Sequence, residues 1–195
     1  IASFARMSTR IGRLVVTPSW LADPATVGPQ VIIDPETAFG TGEHGSTRVA
    51  LALLERHVQS GDRMLDLGSG SGILSIAAVK LGARRAVGIE VDEDANEVAA
   101  LNATRNGVAD KVEFLFGDAA QLAPVVGPAE ILCSNILRLV NVALLPEIRA
   151  SLVPGGVAIF SGMEYTEAAE FRAALAAQRY IEIDEEIDAG WWGVA

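Results

Sequence analysis

The stretch LDLGSGSG, residues 65–72, decides how the rest of the chain is read. The run RMLDLG (63–68) that enters it has the length and apolar character of a buried strand. The run SGILSIAAVKLG (71–82) that leaves it reads as a helix stopped by Gly82. A strand, a glycine-rich turn and a helix in that order open an α/β unit, and ligands of open α/β sheets bind outside the carboxyl ends of the strands. A tight turn without a ligand would use the same glycines, so the turn by itself leaves both readings open. Two features favour a ligand. The spacing is G-x-G-x-G rather than the G-x-G-x-x-G of dinucleotide sites, and Asp66 precedes the turn. A carboxylate there would repel a pyrophosphate and suits a ligand that carries an ammonium group.

Outward from the turn the pattern repeats. Residues 46–59 carry apolar positions at helical spacing with Ser46 as N-cap, AVGIEV (86–91) reads as a strand, and 92–107 as a helix with acidic residues in its first turn. KVEFLFGD (111–118) and ILCSN (131–135) read as strands, 141–156 as a helix with its stop, VAIFSGM (157–163) as a strand and 164–178 as a helix. Residues 180–187 and 190–195 read as a closing antiparallel pair around Asp188-Ala189. Strands alternating with helices predict an α/β fold with a mostly parallel sheet covered on both faces. Residues 1–33 read as a linker-like segment packed on the domain, with a short strand at LVVTPSW (14–20), and residues 34–195 as the functional domain.

Two more acids stand at strand ends. Glu90 closes the second strand of this series, 18 residues past Gly72, where a carboxylate can accept from both hydroxyls of a ribose. Asp118 follows the third, where it could accept from the exocyclic amine of an adenine, although strands often end in Gly-Asp for turn reasons alone. An ammonium-facing, a ribose-facing and an adenine-facing acid together describe S-adenosylmethionine better than a dinucleotide. The glycine spacing and the three acids look like the class I methyltransferase pattern, a Rossmann-like fold with a seven-stranded sheet.

The motif order narrows the resemblance. FGTGEHGST (39–47) ahead of a helix, then LDLGSGSGILSIAA, then SNIL (134–137), with LVVTPSW leading in, resembles the PrmA family of methyltransferases of large-ribosomal-subunit protein eleven, over essentially the whole chain. The resemblance implies cofactor contacts at Thr47, Gly68, Glu90 and Asn135, beside Asp66, Gly70 and Asp118 of the reading above. It makes Phe39, Gly40, Thr41, Gly42 and His44 a lid that folds over the cofactor. His44 is expected to be a polar loop residue rather than the catalytic base. The family commonly has His-Pro-Thr-Thr where this chain has His44-Gly45-Ser46-Thr47, aspartate where Glu90 stands, and often cysteine where Ser69 stands. It also carries an N-terminal domain that grips the ribosomal protein, ahead of the part that resembles this sequence.

The resemblance implies transfer of a methyl group to a protein nitrogen. Enzymes that methylate planar amide or base nitrogens usually carry Asn-Pro-Pro-aromatic at the fourth strand end, and this chain has Asn135-Ile136-Leu137. An aliphatic amine, from lysine or an α-amino group, is the expected acceptor, with Asn135 orienting it. A small-molecule acceptor and an inactive cofactor-binding module are the alternatives. At least one of Trp191 and Trp192 is expected in the core, with Trp192 considered as a grip on the substrate. Cys133, in an apolar strand, is expected to be inert.

Composition sets limits on partners and compartment. The 195 residues are half hydrophobic, enough for one domain with a substantial core. Net charge is −10 with a pI of ≈ 4.6, and Arg6, Arg10 and Arg13 form the best basic cluster, read as solvated charges rather than a nucleic-acid site. The acidic balance suits a basic protein substrate such as a ribosomal protein. A single cysteine excludes an internal disulfide, and no apolar run reaches membrane-spanning length, so a cytoplasmic protein without a metal site is expected.

Overall fold

The computed structural model describes residues 8–34 and 45–195. The chain opens with β1 (Thr9–Ile11), β2 (Leu14–Thr17) and β3 (Gln30–Ile32). It continues through α1 (Gly45–His57), β4 (Arg63–Leu67), α2 (Ile73–Leu81), β5 (Arg85–Glu90), α3 (Glu93–Arg105), β6 (Val112–Phe116) and α4 (Ala119–Val126). The last part holds β7 (Ala129–Asn135), α5 (Arg138–Ala150), β8 (Leu152–Glu164), α6 (Ala168–Ala177), β9 (Glu185–Asp188) and β10 (Trp191–Val194).

The seven later strands form one sheet in the order β6-β5-β4-β7-β8-β10-β9. The strands from β6 through β8 in that order run parallel, and β10 is antiparallel to both of its neighbours, β8 and β9. The expected mostly parallel sheet with a closing antiparallel pair is therefore present. The chain winds outward from β4 through β5 to β6, then returns to the other side of β4 with β7. That reversal leaves a crevice above the carboxyl ends of β4 and β7, the place where such sheets hold ligands.

Side chains alternate between two cores because successive strand residues point to opposite faces. Met64, Ala86, Ile131, Cys133 and Ile159 pack under α1, α2 and α3. Leu65, Leu67, Val87, Ile89, Leu132 and Phe160 pack under α4, α5 and α6, together with Trp192. Phe160, Phe171 and Trp192 meet edge to face in this second core, with ring centroids 5.1 and 6.2 Å apart along the chain of contacts.

Several boundaries differ from the sequence reading. Residues 9–32 contain three strands rather than one: β2 pairs antiparallel with β1 and parallel with β3. This small sheet is fastened to α3 by Asn106, which donates to the Ile32 carbonyl and accepts from the Ile32 N–H, both at 2.8 Å. The helix α4 was not anticipated. Its eight residues include Pro124, and Asp118 starts it by accepting from the Ala120 N–H at 2.8 Å. The helix expected at 141–156 begins at Arg138 and ends at Ala150, and residues 152–156 instead begin β8. Pairing with β7 draws them into the sheet: Ala129 faces Leu152, and a register shift before Ile131 faces Val157 takes up the extra residues. The last strand pair is shorter than expected, with β9 starting at Glu185.

Candidate active site

A cavity of about 650 Å³ fills the crevice at the topological reversal. One end is walled by the Gly68-Ser69-Gly70 loop, and Glu90 and Asp118 stand at the ends of β5 and β6. The other end is formed by Ser46 and Thr47 at the start of α1, by Asn135 and Ile136 at the end of β7, and by Trp191. Leu137, Val140 and Leu144 supply an apolar side from α5 and the turn before it.

The glycine loop has the backbone its sequence requires. Gly68, Gly70 and Gly72 have φ of +68, +52 and +78°, which L side chains rarely adopt. A β-carbon at Gly68 would also lie 2.6 Å from Ile136 Cγ2, so this glycine is what lets the loop after β4 close against the turn after β7. Glu90 secures the loop from the far side. Its Oε2 accepts from the Gly70 N–H at 3.0 Å, and its Oε1 accepts from the N–H groups of Val91 and Asp92 at 2.8 and 3.2 Å. The carboxylate is thus fixed in orientation before any ligand arrives.

At the opposite end, Asn135 Nδ2 donates to Thr47 Oγ1 at 3.4 Å. Asn135 Oδ1 is buried and finds no hydrogen-bond partner among the described residues, and neither does Ser69 Oγ on the cavity wall. Unpaired buried acceptors are costly and mark places where a ligand completes the bonding. Among the described residues that line the cavity, the charged side chains are Glu90 and Asp118, both acidic. A cavity of this sign draws a cationic ligand and repels a pyrophosphate.

Thr47, Gly68, Gly70, Glu90, Asp118 and Asn135 all line this one cavity. Asp118 is also committed locally, as the cap of α4. Asp66 differs from the expectation. It lies between Leu65 and Leu67, whose side chains enter the core under α4 and α5, so its own side chain faces α2 and is not on the cavity wall. There it is 1 % exposed and accepts from Ser75 Oγ and N–H at 2.8 and 3.2 Å, while Oδ1 has no partner among the described residues. Burial pushes its carboxyl up to about 7, the Ser75 bonds hold it down, and the nearby negative charge of Glu90 raises it further.

Trp192 is the tryptophan of the pair that enters the core: it is fully buried against Phe171, with its Nε1 donating to Glu185 at 2.9 Å, which excludes the alternative of a grip on the substrate. Its neighbour Trp191 faces the cavity instead. Val140 and Leu144 are cavity residues that the sequence reading does not single out; their signal, apolar positions at helical spacing after SNIL, is indistinguishable in sequence from a core face. Cys133 is fully buried, and burial pushes its thiol well above the ordinary range, in keeping with an inert role. The lid residues Phe39, Gly40, Thr41, Gly42 and His44 lie outside the described residues. No group of three His, Cys, Asp or Glu placed to hold a metal occurs among the described residues, and no helix there is long and apolar enough to cross a membrane.

Comparison with known proteins places these features in context. A family model described as ribosomal protein L11 methyltransferase (PrmA) matches residues 7–195. The ribosomal protein L11 methyltransferase of Pelotomaculum thermopropionicum is 42 % identical over 184 residues, which are 94 % of this chain and 59 % of that protein. The crystal structure of the ribosomal protein L11 methylase from Lactobacillus delbrueckii subsp. bulgaricus superposes with a TM-score of 0.86 at 28 % identity and covers 96 % of both chains. An RNA methyltransferase from Salinibacter ruber, solved in complex with S-adenosyl-L-homocysteine, superposes with a TM-score of 0.59 at 29 % identity, covering 74 % of this chain and 84 % of that one. The chain spans about three fifths of the length of the curated relatives it matches.

Proposed function

Since the chain belongs to the ribosomal protein L11 methyltransferase (PrmA) family, we propose that it binds S-adenosylmethionine in the cavity above β4 and β7 and transfers methyl groups to amine nitrogens of a ribosomal protein, as a cytoplasmic enzyme. Residues 34–195 carry this activity, with the β1–β3 segment packed against them. The acceptor is lysine or an α-amino group, and protein L11 is the substrate that the relatives' names point to.

The observation that carries the reading is the charge of the cavity. Its charged lining side chains among the described residues are two carboxylates, and a third, Asp66, lies behind the loop. S-adenosylmethionine carries a sulfonium and an ammonium, so the sign matches; NAD carries two phosphates, so it does not. Glu90 is held by three backbone N–H groups with its carboxylate on the cavity wall, placed to accept from ribose hydroxyls. Gly68 and Gly70 let a ligand approach the backbone, and the first turn of α1 offers N–H groups that suit a carboxylate.

When bound, S-adenosylmethionine supplies an electrophilic methyl group on a positively charged sulfur. The residues at the α1–β7 end do the rest. Asn135 Oδ1, unpartnered among the described residues, accepts a hydrogen from the incoming amine and so aims its lone pair. Thr47 holds the Asn135 amide in that orientation through Nδ2. Ile136 and Trp191 supply apolar walls around the amine, with Leu137 and Val140 at the exposed rim. A lysine ammonium must lose its proton before it attacks, and both desolvation and a neighbouring positive charge favour that loss. Orientation of this kind can supply roughly 7–11 kcal/mol of a barrier, so a dedicated base is not required.

Calorimetric titration with S-adenosylmethionine and with NADH tests the binding half of the proposal, and mass spectrometry of a basic ribosomal protein incubated with labelled cofactor tests the transfer. Binding of the methyl donor without NADH, and methylated lysine or N-terminus in the product, are the expected results. NADH binding in preference would overturn the reading.

A further inference from the structure

Directly behind the Thr47–Asn135 pair lies a second, buried layer of polar side chains that meets the cavity wall only at Ser46. Asn141, in the first turn of α5, is at its centre and has no solvent exposure. Its Oδ1 accepts from Ser134 Oγ at 2.6 Å. Its Nδ2 donates to two backbone carbonyls, that of Ile136 at 3.1 Å and that of Ser161 at 3.0 Å. Ser161 in turn donates from Oγ to the Ser46 carbonyl at 2.8 Å. Ser134, Ser161 and Ser46 are 1, 0 and 6 % exposed.

The order of these contacts matters. Ser46 and Ser134 are the chain neighbours of Thr47 and Asn135, and Ile136 follows Asn135 directly. The layer therefore ties the backbone on both sides of Asn135 to β8, and ties β8 to the residue before Thr47. A core needs no such network: apolar residues of the same size would pack α5 on the sheet without the cost of burying an amide and hydroxyls. Every polar atom of the Asn141 side chain is bonded, whereas the buried Asn135 Oδ1 just in front has no partner among the described residues.

We propose that Asn141 is a positioning residue for methyl transfer: through Ser134, Ile136 and the Ser161–Ser46 link it fixes the spacing and orientation of the Thr47–Asn135 pair, and so aims the Asn135 amide at the place where the acceptor amine must be. This rests on the function proposed above. Asn141 reaches neither cofactor nor substrate. Its loss lowers the rate of transfer more than the affinity for the cofactor, because Glu90 and the glycine loop, at the other end of the cavity, are untouched.

The test uses the full chain and four variants: Asn141→Ala, Ser134→Ala, Ser134→Thr and, to assign the Asn135 side-chain signal, Asn135→Asp. Single-turnover transfer to a basic lysine-containing peptide at saturating S-adenosylmethionine should fall roughly ten- to a hundredfold in Asn141→Ala, the scale expected of a displaced reacting group. The calorimetric dissociation constant for S-adenosylhomocysteine should stay within about threefold, less than a single tenfold step of 1.4 kcal/mol. Ser134→Ala should lose part of the rate and Ser134→Thr, which keeps the hydroxyl, should regain it. In the ligand-free protein, the paired Asn135 amide signals in a ¹H–¹⁵N spectrum should be single and sharp in the parent and shifted or broadened in Asn141→Ala. If that variant does not fold, the Ser134 pair decides. An unchanged rate and unchanged Asn135 signals in folded variants, or a rate and an affinity that fall together, would overturn the assignment. A parent that transfers no methyl group to any amine defeats the functional proposal instead, and the amide signals still decide the role of Asn141.

Discussion

The Gly70 N–H donates to Glu90 Oε2 at 3.0 Å, so the loop after β4 and the end of β5 form a single rigid surface. A carboxylate that also accepts from Val91 and Asp92 has little freedom to turn. Replacing Glu90 with alanine removes the proposed ribose acceptor and frees the loop at once. Hydrogen bonds to charged groups are worth about 1.5–3 kcal/mol, so the dissociation constant for S-adenosylmethionine should rise roughly ten- to a hundredfold. Calorimetry on folded Glu90→Ala checks it, and unchanged affinity would remove Glu90 from the site.

The adjacent tryptophans should separate cleanly. Trp192 is fully buried in the α4–α6 core, and Trp191 lines the cavity. Trp192→Ala should cost about 3–5 kcal/mol of stability, the range for a large aromatic removed from a core. Trp191→Ala should lower the transfer rate with a stability loss well below that of Trp192→Ala. Urea unfolding and single-turnover rates on both variants measure the contrast. Equal stability losses would contradict the assignment of the two faces.

Asp66 predicts a pH dependence whose sign is fixed. Its carboxyl is raised to about 7, chiefly by burial, from the ordinary 3.8. A group whose folded value lies above its unfolded value makes the folded state hold the extra proton, so its effect on stability worsens as pH rises from about 4 to 7 and is constant above. Asp66→Asn, neutral and of the same shape, should therefore stabilise the protein at pH 8 by roughly 1–4 kcal/mol and much less near pH 4. Thermal melts across that range check it. A bound cation favours the ionised carboxyl, so affinity for S-adenosylmethionine should weaken below about pH 7 in the parent and less so in Asp66→Asn.

The acceptor sets the pH dependence of the reaction itself. A lysine amine has an ordinary pKa of about 10.4, so the unprotonated fraction is small at neutral pH. With saturating cofactor and chemistry limiting, the rate should climb from about pH 7 toward 9. Asn135→Ala should lower the rate more than it lowers cofactor affinity, because Asn135 Oδ1 has no hydrogen-bond partner among the described residues and is proposed to orient the amine. A flat profile, or product methylated on amide or base nitrogen, would count against the amine.

The sequence by itself determined what is local. Alternating apolar strands and helical stripes gave the α/β plan, and three glycines at positive φ had to be glycines wherever the loop sat. Acids at the ends of successive parallel strands were bound to meet, because parallel strands all end on the same side of a sheet; Glu90 and Asp118 share the cavity for that reason. Local patterns failed where pairing overrides propensity. Residues 152–156 read as the stop of a helix and joined β8 because β7 offered an edge, and α4 was hidden by its short length and Pro124. The tertiary structure alone decided which face each side chain took. Asp66 turned under the loop to Ser75, Trp191 rather than Trp192 reached the cavity, and Asn141, one polar residue in an amphipathic helix, came to rest behind Asn135. These depend on strand order and register, which bring residues far apart in the chain within bonding distance, and no spacing along the sequence records such contacts.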